Sequence, residues 1–237
     1  MKLDKKILLA GSSYPVISGD VTLELKGHGR AGFFIRTADQ VPDLSGLVEY
    51  RHGYATDKLY TAFLGTVYLG QASGSGKHQI ICRALSSALD LPARFSLRHL
   101  TAIDLLKEIA DRTGLDFVYP ENASYMNKRI PNFYNLDTCR GAIECFDVWG
   151  IDRGIWTQLP DGKIFWGSWD DSSFAEKDPI EIDPRLITDP RPDDRSFVIP
   201  VVPALQPGTL IQDNLIIEHI EISGNNMRLR WLKRSEA

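Results

Sequence analysis

The stretch from Ser96 to Pro120, SLRHLTAIDLLKEIADRTGLDFVYP, limits the fold most, because it holds the clearest helix of a chain that otherwise reads as β. Thr101 can cap the helix with its hydroxyl, and Asp104 three residues on completes a capping-box start. Ile103, Leu106 and Ala110 form one apolar stripe, widened by Leu105 and Ile109, while Lys107, Glu108 and Asp111 fall elsewhere. Gly114 supplies a left-handed stop, and LDFVYP reads as a short strand ended by Pro120. A capped amphipathic helix that runs straight into a strand has to pack on a sheet. The pattern therefore predicts a small α/β unit inserted in a β-rich chain, and that unit by itself specifies no chemistry.

Before it, residues 7–36 alternate as strands do, with Val21, Leu23 and Leu25 opposed to Thr22, Glu24 and Lys26. Gly27, Gly29 and Gly32 punctuate, and His28 between two of them reads as a turn residue without a metal partner at ligand spacing. Pro42, Asp43, Ser45 and Gly46 suggest a loop. LVEYRHGY and YTAFLGTVYLG read as strands, the second with a bend at Gly65. The GSGK at Gly74 to Lys77 is not a phosphate loop. Gln71 stands where that motif needs glycine, His78 where it needs Ser or Thr, and HQIICRA is β-like rather than helical.

Residues 84–95 read as a linker or short helix closed by Pro92. After the first helix and strand, ENASYMNKRIPNFYN reads as an ordered loop, and the sequon at Asn122 to Ser124 as chance. A second helix is expected from Asp137 or Thr138 to Trp149, with Ala142, Phe146 and Trp149 on one face and Gly150 as its stop. IWTQLPDGKIFWG then reads as a hairpin turning at Pro160-Asp161-Gly162. Trp149, Trp156, Trp166 and Trp169 fit either the core of this module or a sugar-stacking platform, and core packing is the preferred reading. The Asp/Pro-rich stretch 170–197 lacks the central glycine and terminal glutamate of a calcium loop, and reads as an extended solvated strap. The end of the chain returns to β, with Pro207-Gly208 and Gly224-Asn225-Asn226 as turns. In LIIEHIEI, Ile217, His219 and Glu221 are expected to oppose Ile216, Ile220 and Ile222.

A chain of 237 residues with 43% hydrophobic and 24% charged residues is long enough for one elaborate domain or several small ones. A net charge of −4 speaks against tight nucleic-acid binding. Cys82, Cys139 and Cys145 lack metal-ligand spacing and read as reduced thiols. The start, MKLDKKILLAGSSYP, has an apolar run of only Ile7 to Ala10 behind a charged pair, which does not make a leader, and no run approaches a membrane span. No residue pattern sets out a catalytic constellation, a metal site or a cofactor site; none is assigned.

The order of parts carries more than any single motif. A barrel-like first section ends near residue 90. The helix TAIDLLKEIADRTGL, Thr101 to Leu115, follows the form T-x-x-D-L-L-x-x-I-A-x-x-x-G-L, and the chain closes on P-A-L-x-P-G-T-L-I and a strand pair, Pro203 to Trp231. This order resembles the tail hub proteins of contractile-tailed and related phages: the late-control D type, the Mu-like hubs, and the hub part of type VI secretion spike proteins. The resemblance implies a mainly β fold of barrel-like domains with an inserted α/β module. It implies a homotrimeric ring in the virion tail baseplate, made in the host cytoplasm, that adapts a sixfold tail tube to a threefold spike. It implies as partners a tail tube or distal tail protein, a central spike or fibre protein and a tape-measure protein. DNA would pass through without specific binding and no part would enter a membrane. The function would be structural rather than enzymatic.

The expected divisions are a first barrel over 1–95, the inserted module over 96–169, the strap over 170–197 and a C-terminal β region over 198–237. That last region either completes a second barrel or adds its strands to the first barrel or a neighbouring sheet. Two other readings compete: a carbohydrate- or cell-surface-binding β module that uses the tryptophans, and a tail-associated wall hydrolase, whose metal form would need His52, His99 or His219.

Overall fold

The computed structural model describes residues 2–37, 44–55, 58–74, 76–135 and 137–236; the turn residues Pro42, Asp43 and Ser75 lie outside them. The chain begins with β1 (Asp4–Leu9), β2 (Ser12–Glu24), β3 (Arg30–Arg36), β4 (Leu47–Ala55), β5 (Lys58–Ala72) and β6 (Lys77–Ala84). These six strands pair antiparallel in the order β1-β4-β5-β6-β3-β2, and β2 returns to β1, so they close into a barrel. Alternation places Ile7, Phe33, Ile35, Val48, Tyr50, Phe63, Ile80 and Cys82 inside. Closure leaves the barrel no raw edge. At Gly65 the pairing stays in register with both neighbouring strands. A Cβ there would run into the Arg83 carbonyl oxygen, so glycine lets two backbones approach, and β5 has its register shifts elsewhere, at Ala62 against β4 and at Tyr68 against β6 among them.

The middle of the chain holds β7 (Phe95–Leu100), α1 (Ala102–Thr113), β8 (Phe117–Val118), β9 (Ile130–Asn135), α2 (Cys139–Ile143), α3 (Phe146–Trp149), β10 (Gly154–Gln158) and β11 (Ile164–Ser168). The helix start is as the sequence predicts. Thr101 Oγ1 accepts from the Asp104 backbone N–H at 3.2 Å, Asp104 Oδ2 accepts from the Thr101 N–H at 2.8 Å, and Gly114 closes the helix at φ 71°. The buried face is rotated by one position, to Ala102, Leu105, Leu106 and Ile109. This helix lies against both Phe95 and Leu100 of β7 and Met126, Cys139 and Ala142 from later in the chain, so its apolar face is set by neighbours that periodicity does not see.

Two expectations for this module need correction. Ile130–Asn135 is a strand paired with β7, not a loop. Pro131 is tolerated because β9 pairs with β7 alone, and the missing N–H can face away from the ladder. The second helix is two short ones, interrupted at Glu144 and Cys145, where the Cys145 thiol bonds the Gly141 carbonyl and the Phe146 N–H reaches back only to Glu144. The hairpin forms as expected, with Trp156 directly opposite Trp166.

The strap is extended only in part, since single 3-10 turns interrupt it at Trp169–Asp171 and Pro184–Leu186. It contains β12 (Thr188–Arg191), which pairs with β13 (Ser196–Pro200), followed by β14 (Leu210–Ile211), β15 (Leu215–Ser223) and β16 (Asn226–Lys233). These strands run on from the barrel in the order β2-β15-β16-β13-β12. The join is β2: its residues Ser12–Pro15 face β1, whereas Asp20–Glu24 face β15. The clean alternation expected in β15 fails at a bulge between Ile217 and His219. The extra residue switches the phase, so Ile217 shares the barrel-side core with Ile220 and Ile222 while Ile216 enters a different cluster. Among the described residues, no helix is long and apolar enough to cross a membrane.

Replacing Thr101 by Ala removes one cap acceptor and should lower stability by about 1 kcal/mol, a fall in Tm of about 2–4 °C, with Thr101→Ser close to the parent. Thermal unfolding followed by circular dichroism checks this.

Candidate assembly surfaces

The histidines that a metal site would need fall on separate elements of the fold. His28 is turned to Asp90, with Nε2 2.8 Å from Oδ1. His52 lies inside the barrel at 1% exposure, His99 is exposed on β7 at φ 53°, and His219 on β15 is half-buried with Nδ1 3.8 Å from Glu24. Among the described residues, no group of three or more His, Cys, Asp and Glu side chains could hold a metal ion. Burial pushes the Cys82 thiol up to about 12 and raises Cys139 and Cys145 as well, which keeps all three from being ready nucleophiles. In the strap, Arg185 holds the Asp183 carboxyl below its usual range, and Arg228 and Arg191 do the same for Asp189. A general acid needs the opposite displacement.

The crevice between the barrel and the inserted module, lined by Phe63, Leu64, Gln158, Leu159 and Leu205, holds about 40 Å³. That is space for a few waters, far below a ligand pocket. Trp149, Trp156, Trp166 and Trp169 are all at most 1% exposed, so none offers a face for a sugar ring. The expected core reading of these indoles is the one the structure supports.

What the geometry does build is a rigid joint. Three apolar clusters meet: the barrel with the C-terminal strands, the inserted module, and a small third one made of Leu25, Ile155, Phe165, Trp169, Phe174, Leu210 and Ile216. The third draws on every part of the chain: one residue each from the first section and the strap, two from the C-terminal region, and three from the inserted module, Trp169 among them. The Trp169 indole N–H donates to the Gly208 carbonyl at 2.9 Å, and the Arg234 guanidinium lies 4.9 Å from its ring centroid. Asp170 next to it pairs with both Arg153 and Arg234. Immediately after β2, the Leu25 N–H donates to the Glu218 carbonyl at 2.8 Å and the Lys26 N–H to the Trp156 carbonyl at 2.9 Å. Gln158 closes the other side, with Nε2 donating to the Leu64 carbonyl and Oε1 accepting from the Ser86 N–H, both at 2.8 Å. Sequence reasoning missed this joint: a polar Gln at a hairpin end and a Trp after it carry no local signal of distant partners.

The exposed edges are guarded. β12 ends the long sheet and bears Asp189, Pro190 and Arg191, all exposed; a proline and charges on an edge discourage strand addition. By contrast the outer wall of the barrel across β5, β6 and β3 shows Tyr68 at 62%, Leu69 at 46% and Ile81 at 36% exposure.

No family model matches the chain. A 58.7 kDa protein from the lys 3′ region of Haemophilus phage HP1 is 29% identical over 227 residues, which is 95% of this chain and 41% of that protein. The chain thus spans about two fifths of the length of that relative. Among solved structures, a tail protein from Neisseria meningitidis MC58 is similar at a TM-score of 0.70 and 12% identity, over 98% of this chain and 97% of the other. The 43 kDa tail protein of prophage MuSo2 from Shewanella oneidensis follows at 0.68 and 10%, over 99% of both chains. An E. coli component of the type VI secretion system, described as similar to T4 bacteriophage tail proteins, reaches 0.61 and 12% over all of this chain and 78% of its own. The chain therefore has the mainly β, barrel-bearing fold of phage tail proteins and of a type VI secretion component.

Trp169→Ala should cost about 3–5 kcal/mol, because it empties the third cluster and leaves the Gly208 carbonyl without its donor; Trp169→Phe should lose less, and chemical denaturation measures both. His52 gives a pH signature. Burial, the largest cause, and nearby Lys5 push its imidazole down to about 4, against a smaller opposing pull from the Pro203 backbone. The unfolded chain takes this proton first, near pH 6.5, so the contribution is full above that value and is lost as pH falls from about 6.5 to about 4, up to about 3 kcal/mol in all. His52→Gln should flatten the stability profile in that window relative to the parent.

Proposed function

We propose that this chain is a structural component of a phage-type tail, a baseplate hub subunit that forms a trimeric ring between the sixfold tail tube and a threefold spike or fibre. The observation that carries the reading is the whole-length match of the fold to tail proteins, barrel, insertion and C-terminal strands together. In this reading residues 1–95 supply the ring barrel, 96–169 a bracing module, 170–197 a strap toward a neighbour and 198–237 the strands that extend the wall. Its partners are further copies of itself, a tube or distal tail protein, a central spike or fibre protein and the tape-measure protein, and DNA passes without being held. The joint around Trp169 suits such a part, since a ring that transmits force needs its modules locked rather than hinged.

Neither competing reading gains an observation. The buried indoles offer no sugar platform, and the Asp183 and Asp189 carboxyls are held below their usual range, away from acid catalysis.

Deleting the gene from the phage or prophage that carries it, and analysing purified particles by mass spectrometry and electron microscopy, tests the proposal. The chain should occur in tail particles at a few copies, and its loss should leave particles without a completed tail tip. Infectious, structurally complete particles from the deletion strain would overturn it.

A further inference from the structure

The ladder between β3 and β6 carries two like-charged pairs. Arg30 stands directly opposite Arg83, and Arg36 directly opposite Lys77. Like charges at directly opposed positions are destabilising. None of the four has a carboxylate partner among the described residues. Arg83 lies 3.7 Å from the Tyr68 ring centroid and Lys77 4.7 Å from that of Phe34, so both cations rest on aromatic faces instead. Between the pairs the wall is uncharged: Ile81 is flanked by Leu69 on β5 and by Gly32 on β3, whose Cβ position is open space, and the next row holds Phe34 with the hydrogen-bonded amides of Gln79 and Gln71. The strands β3, β5 and β6 contain no Asp or Glu at all. In a chain of net charge −4, this is a concentrated cationic and apolar face.

The same chain carries its complement. Residues 170–197 hold nine carboxylates against four cations. Of these, Glu176, Asp178 and Glu181 are exposed and have no cationic partner among the described residues, and Leu186 beyond them is 47% exposed. The parallel contact of Ile180 with Ile211 and the bond from the Ile182 N–H to Gln212 hold this segment extended on its own β14 side. Its carboxylates from 176 to 181 span about 17 Å, and the two cationic pairs stand about 20 Å apart along β3. No hydrogen bond or ion pair joins the strap to β3, β5 or β6 within the chain, among the described residues.

We propose that the β3–β5–β6 wall docks the acidic strap segment 176–186 of a second copy, with Arg30/Arg83 and Arg36/Lys77 on its carboxylates and Leu69 and Ile81 beneath. This contact is head-to-tail, the kind that closes rings, and it rests on the hub reading by naming the surfaces that reading needs. A nucleic acid is the weaker occupant, because the centre of the wall is uncharged, with Leu69, Ile81, Gly32, Phe34 and Gln79 rather than further cations.

Charge exchange tests it, read by sedimentation velocity over a concentration series at low and high salt. The parent should self-associate more weakly as salt rises. Arg30→Glu with Arg83→Glu should weaken association tenfold or more, as should Glu176→Lys with Asp178→Lys and Glu181→Lys. Carrying both sets in one chain should restore association to within about threefold of the parent, because every contact of a closed ring then regains opposite charges. Arg30→Gln with Arg83→Gln, milder for folding, should weaken it in the same direction. A parent that stays monomeric at every salt and concentration, association indifferent to both sets, or no restoration in the combined variant would each overturn the proposal. So would loss of binding to a double-stranded DNA probe in the wall variant while self-association is unchanged. Occurrence of the chain in tail particles is scored separately, so the wall contact can fail while the hub reading stands.

Discussion

Everything in this molecule hangs on one strand serving two partners along the same edge. β2 closes the barrel with its first residues, Ser12–Pro15 against Lys6–Leu9, and then leaves β1 and gives Asp20–Glu24 to β15. Thirteen residues make it long enough for both tasks, roughly 43 Å of strand. Backbone hydrogen bonds that would otherwise face water where β1 ends are taken up by the C-terminal strands. The barrel and the C-terminal sheet consequently share one apolar core, in which Phe33 and Phe63 pack with Ile220 and Leu229.

The strand's exit decides where the inserted module sits. Leu25 and Lys26 follow β2 directly and donate to β15 and β10 respectively, so the chain leaving the barrel ties the third cluster in place. Trp169 and Gln158 then lock the module from its other end. Among the described residues each module is bonded to two others, which favours a stiff part. That stiffness is what the proposed place in a tail assembly would use.

What was legible in the sequence is local. The Thr101 and Asp104 box, the Gly114 stop and the Trp156/Trp166 hairpin depend on residues within a few positions or across one turn, and each is present. The strand around Pro131 was hidden because proline and polar residues argue against a ladder unless the strand is known to have one partner only. The bulge in β15 was hidden because a single extra residue leaves composition unchanged while it reverses which isoleucine points inward. The division of β2 between two partners, and the meeting of Leu25, Trp169 and Ile216, join residues almost two hundred positions apart, and no periodicity reports on that. The opposed arginines of the wall were equally hidden, since Arg30 and Arg83 become neighbours only through the β3–β6 register.

In the proposed role the chain is a stiff subunit whose charge, sorted between two faces, would join copies in a ring. The most direct measurement is the solution mass of the purified chain by light scattering across a concentration series at low salt. Three times the 26.6 kDa chain mass, reached reversibly and held as concentration rises further, is the predicted result. A mass that stays at one chain throughout, or that climbs without a plateau into open polymers, would contradict it.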